Sequence, residues 1–208
     1  MNLKNLTIAL IIALVFEVTL KLSHRLAPFI FEIPLLVNIT SLLKVLTGVL
    51  IILFLFYFLQ TEKDGGTVEL ALKITLGVVI LAFLYRLPLP HSVNDFKTFR
   101  FIGGILSVAG SALFFLLVLM YRKKIPQSAG PFLQAITLVS VVFAIDILKN
   151  LYSLITLVRF IMFGAIVDFP FAIHRAMFVL FIFGHLALIY FLYQFYRFNV
   201  SSNRTEQG

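Results

Sequence analysis

Long apolar runs repeat along this chain with polar turns between them, and that spacing leaves few folds open. Leu6–Leu20, Pro34–Leu59, Val68–Tyr85, Phe101–Tyr121, Phe132–Ile155 and Ala172–Phe195 are dominated by Leu, Ile, Val and Phe. At ~1.5 Å per residue such runs cross a ~30 Å hydrocarbon core, the first with help from its flanks and a thin bilayer. A membrane β-barrel would need strands of about ten residues with alternating polarity, and these runs are continuous. The expected fold is an all-α integral membrane protein, a bundle of about six transmembrane helices.

Composition agrees. Hydrophobic residues make up 61% of the 208, with 24 phenylalanines, which no soluble domain of this size needs. The net charge of +8 does not point to nucleic acid, because Lys and Arg in a polytopic membrane protein gather where loops face the cytoplasm and anionic lipid. There is no cysteine, which excludes disulfides, thiolate metal sites and cysteine nucleophiles. The N-terminal run has the look of a signal peptide, but Glu17 interrupts it and no small-residue cleavage site precedes Lys21. It reads as a retained first helix.

The connections are short. Gln60–Thr67 holds Asp64-Gly65-Gly66, a turn. Leu87–Arg100 and Val158–Phe171 read as longer loops, Tyr121–Pro131 as a basic one, and Ser23–Ile33 as an interfacial or re-entrant piece. Residues 1–200 thus form one transmembrane domain, and Ser201–Gly208 a polar, frayed tail. With both termini inside, Lys4, Lys63, Arg122, Lys123, Lys124, Arg197 and Arg204 face the cytoplasm, and Lys21, Arg25, Arg86, Lys97, Arg100, Arg159 and Arg175 face outward, seven each. The dense cluster Arg122-Lys123-Lys124 in a short loop decides for N-in and C-in. The Phe- and Ile-rich composition, without a eukaryotic targeting segment, suggests a bacterial inner membrane.

Against this background five charges lie inside apolar runs: Glu17, Lys44, Lys73, Asp146 and Lys149. A charge at bilayer depth costs ~2.5–3.5 kcal/mol on insertion scales unless it is paired or hydrated. Counted from Phe132, Asp146 lies about 21 Å and Lys149 about 25 Å up the fifth helix, in the outer half. Glu17 falls near the outer end of the first helix, and Lys44 about 15 Å below the outer end of the second. Lys73 has Glu69 at i−4 and can snorkel inward. Asp146, Lys149, Asn150 and Ser153 share one helical face, as do Glu17, Lys21 and His24. Such stripes should turn toward each other or toward water.

The functional expectation is an outward-facing charged pocket that binds or transports a small anionic or zwitterionic solute, or a lipid headgroup. Its candidate residues are Glu17, Lys44, Arg86, Arg100, Asp146, Lys149 and Arg175, with His174 and His185 as a polar relay. One alternative is that the same charges pair within or between subunits, making the chain an accessory subunit or homo-oligomer in a membrane complex. Another is a membrane sensor domain.

Other chemistry finds little support. His174 and His185 share a face but stand roughly 16 Å apart on one helix, too far to hold one metal, and His185 has no mid-membrane partner for haem. His185 reads instead as an interhelical hydrogen-bonding residue. Gly103, Ser107 and Ser111 form a small-residue stripe suited to close packing within the monomer. There is no HExxH, no P-loop and no carboxylate pair, so no metal, no cofactor and no enzymatic activity are expected. In its spans, inside termini and the Ala9-xxx-Ala13 pair, the chain resembles in architecture the substrate-binding subunits of energy-coupling-factor vitamin transporters.

Overall fold

The computed structural model describes residues 3–26, 34–62, 66–86, 93–163 and 171–205. They form six helices: α1 (Leu3–Leu26), α2 (Pro34–Thr61), α3 (Thr67–Arg86), α4 (Val93–Arg122), α5 (Gly130–Phe163) and α6 (Phe171–Thr205). No strand occurs among the described residues. Helices are what a lipid environment requires, since each satisfies its backbone hydrogen bonds internally. Local sequence sets several ends. Pro34 opens α2 and Pro131 sits in the first turn of α5, where a missing N–H costs nothing. Glu69 lies in the first turn of α3 and Arg122 in the last turn of α4, each of the sign that complements the helix dipole.

All six helices are long and apolar enough to span a membrane, and the protein is an integral membrane protein in contact with lipid. The helices overrun the apolar runs. Residues 93–100 and 158–163, expected as loop, are helical extensions of α4 and α5. Residues 201–205 of the expected frayed tail continue α6, and residues 23–26 continue α1. Residues 27–33, the rest of the expected re-entrant piece, lie outside the described residues. The physical reason is that a helix needs hydrogen-bonded backbone, not hydrocarbon side chains, and its ends project beyond the apolar zone.

The helices make a ring. Each touches its neighbours in sequence, and α1 touches α6 to close it. Neighbours run antiparallel, as Phe132 at the start of α5 meets Phe198 late in α6, and α2, α4 and α6 share a direction, as Phe58 near the end of α2 meets Tyr121 at the end of α4 and Phe195 in α6. We call this end, where α1, α3 and α5 begin, the near end, and the opposite one the far end. Most of the deeply buried side chains, including Leu6, Leu55, Leu72, Ile136, Leu192 and Phe195, lie in the near half. Glu62 bonds Lys124 at 2.6 Å there, pinning the end of α2 to the α4–α5 turn. Lys73 pairs with Glu69 at 2.5 Å on α3.

Small residues set the helix spacing. A Cβ at Gly48 would fall 2.6 Å from Phe83, one at Gly104 2.9 Å from Leu154, and one at Gly184 3.3 Å from Val142. These are the close approaches of α2 to α3, α4 to α5 and α5 to α6. Outward positions such as Ile12, Leu42, Leu70, Leu148, Met162 and Val179 are large, apolar and exposed, as lipid contact demands.

Candidate functional site

Beyond the packed near half, polar side chains enter the bundle. The centre is Asp146, midway along α5. Its Oδ2 accepts from Ser111 Oγ on α4 at 2.6 Å and from Asn150 Nδ2 at 3.0 Å. Asn150 also donates to Ser111 Oγ at 3.0 Å, closing a triangle between α4 and α5. The Lys149 ammonium donates to Asp146 Oδ1. The i, i+3, i+4 spacing of Asp146, Lys149 and Asn150 makes this possible, since all three leave the helix on one face. A carboxylate with an ammonium and two neutral donors around it is a compensated charge.

A second cluster closes the ring at the α1–α6 seam. His185 Nδ1 donates to the Phe181 carbonyl at 2.9 Å, which turns Nε2 toward Glu17 Oε2, 3.9 Å away. That separation suits charge attraction and exceeds a direct hydrogen bond. Lys21 sits 4.7 Å from the centroid of the Phe181 ring, and Arg25 5.5 Å from that of Phe178. Glu17, Lys21 and Arg25 are four residues apart on α1, and Phe178, Phe181 and His185 descend α6 opposite them. Lys44 on α2 adds positive charge within electrostatic reach of Glu17.

A cavity of about 190 Å³ lies between α5 and α6 and joins the two clusters. Asp146, Lys149 and His185 give it polar groups, and Val142, Phe181 and Phe183 are among its apolar walls. Its remaining walls include Val139, Phe143 and Leu188.

The structure brings together part of the expected set. Asp146 and Lys149 pair, His185 meets Glu17, and Lys44 is exposed but electrostatically coupled to Glu17. Arg175 is exposed in the early part of α6. The side chains of Arg86, Arg100 and His174 lie outside the described residues. His185, read as an interhelical bonding residue, faces Glu17 across the α1–α6 seam, because the ring brings the first and last helices together. One reading is corrected. Glu17 is not at the outer end of its helix. With α1 running to Leu26 it stands about 21 Å from Leu3 and about 13 Å from the far terminus, so the layer lies nearer the middle of the bundle. Ser111 was expected only to pack, and its hydroxyl proves to be part of the Asp146 network. The one sequence signal for that role was its polarity in an apolar run.

Among the described residues no group of three or more His, Asp or Glu is placed to hold a metal ion. Fold and site together define a polytopic α-helical membrane protein with a charged layer inside its ring. No known protein family, curated protein or solved structure matches the chain, so the architectural resemblance to vitamin-transporter subunits carries no further weight.

Proposed function

We propose that this protein is a membrane binding or transport module for a small anionic or zwitterionic solute or headgroup, with its site in the layer around Asp146, Lys149 and His185. The observation that carries the reading is the cavity of about 190 Å³ that the three residues share. A mostly apolar recess with a few convergent polar groups is the usual form of a small-molecule site. In this reading Lys149 holds the anionic group of the ligand, Asp146 orients Lys149, and His185, held by Glu17 behind it, walls the opposite side. The termini face the cytoplasm of a bacterial inner membrane, and the far end opens outward.

The Asp146 network favours a second reading, in which the charges only hold helices together within the chain or a larger complex, since Ser111 ties α4 to α5 through it. Thermal unfolding of the purified full chain separates the two. Glycine, phosphocholine and inorganic phosphate are screened against wild type and Lys149→Ala. A stabilising shift present in wild type and absent in a folded Lys149→Ala supports a binding site. Equal shifts in both proteins would sink it.

A further inference from the structure

Resting on that site, we infer that its ligand is a small zwitterion carrying one compact apolar group on a short tether, the chemistry of an aromatic or large aliphatic α-amino acid. Below the polar cavity lies a second one, of about 150 Å³, on the axis of the near half. Its wall is entirely apolar and rich in Phe54, Phe58, Phe114, Phe143, Phe191 and Phe195. Val139, Phe143 and Leu188 line both cavities, so the two are neighbours across a shared wall. An apolar cavity of roughly 150 Å³ is the size that accepts benzene.

The head is specified by unused bonding capacity. Asp146 accepts bonds from Lys149, Ser111 and Asn150, and a carboxylate has about four lone-pair sites, so one remains. The Lys149 ammonium has three N–H donors and uses one on Asp146. The two spare donors fit a carboxylate, and the spare acceptor fits an ammonium. A ligand with an anion alone would share the single Lys149 ammonium with the Asp146 carboxylate and leave the layer with a net negative charge. Phe143 is three residues before Asp146, about 4.5 Å along the axis. Head and apolar group are therefore separated by one or two carbons. A long acyl chain would outgrow the apolar chamber.

The test uses the full chain in nanodiscs of palmitoyl-oleoyl phosphatidylglycerol, with isothermal titration of L-phenylalanine, L-leucine, glycine, phenethylamine, 3-phenylpropionate and lysophosphatidylcholine. L-phenylalanine or L-leucine should bind, and glycine about 10- to 100-fold more weakly, for want of the buried group. The two single-charge analogues should each bind more weakly than L-phenylalanine. Val118→Phe, which fills the apolar cavity and does not line the polar one, should weaken L-phenylalanine and leave glycine unchanged. Glycine binding as tightly as L-phenylalanine overturns the inference and leaves the charged site standing, as does tighter binding of lysophosphatidylcholine. Absence of binding by every probe overturns the inference, and Lys149→Ala without effect on the screen of glycine, phosphocholine and phosphate overturns the site itself.

Discussion

Ser111→Ala and Lys149→Ala should rank in opposite orders for stability and for ligand binding. Ser111 donates to Asp146 at 2.6 Å and accepts from Asn150 at 3.0 Å, so alanine there removes both bonds between α4 and α5. Interhelical hydrogen bonds in membranes contribute about 0.6 kcal/mol on average and reach about 1.7. The bond to the carboxylate belongs near the upper value and the bond to Asn150 near the mean, which makes the loss about 2 kcal/mol. Lys149 is different. Its partner is three residues away on the same helix, its side chain is 39% exposed, and the pair bridges no two helices. Where the outward-opening cavity admits water, pairs of that kind contribute about 0.3–0.5 kcal/mol. Lys149→Ala should therefore cost well under half of what Ser111→Ala costs, while abolishing the ligand-dependent shift that Ser111→Ala largely keeps. Unfolding in mixed micelles, followed by circular dichroism because the chain has no tryptophan, gives the stabilities. A Lys149→Ala variant less stable than Ser111→Ala would refute the reasoning, since Lys149 would then be holding helices together.

Thr47 is the one buried side-chain hydroxyl without a partner among the described residues, so Thr47→Val should stabilise by about 1 kcal/mol in the same unfolding assay. Thr75→Val should not, because Thr75 Oγ1 already bonds the Ala71 carbonyl at 2.7 Å. Gly48→Leu drives a side chain against Phe83 and should cost about 1–3 kcal/mol, whereas Gly77→Ala meets nothing within 4 Å and should be neutral or stabilising. A double-mutant cycle on Glu17→Gln and His185→Gln should give a coupling of at least about 0.5 kcal/mol, and additive effects would remove that pair from the site. Lys123→Cys should react with a membrane-impermeant maleimide only from the cytoplasmic side, and Arg175→Cys only from outside; the reverse pattern inverts the orientation.

The six spans were legible because hydropathy alone marks a lipid-crossing helix. The ends of α4 and α5 were not, because residues 93–100 and 158–163 are helical without being uniformly apolar. The Asp146, Lys149 and Asn150 face could be read from its spacing, which is fixed by one helix. The role of Ser111 could not, because it depends on how α4 is rotated against α5, and its four-residue stripe with glycines pointed to packing alone. The pairing of Glu17 with His185 was hidden for a topological reason. The two residues lie on the first and last helices, and only closure of the ring makes them neighbours.

That closure has a consequence for how the protein is made. Every other close backbone approach joins consecutive elements, so five helices can be added one at a time, each against the hairpin partner just inserted. The α1–α6 seam must wait for the end of synthesis, as must the aromatic contacts of Phe195 with Phe54 and Phe58 of α2. Until α6 arrives, Glu17, Lys21 and Arg25 have none of their final partners on Phe178, Phe181 and His185. The first helix therefore enters the bilayer carrying a debt of charge, on the order of 3 kcal/mol for a group near the middle. The last helix supplies the partners, so a chain halted after five spans would leave the α1 charges without their contacts on α6.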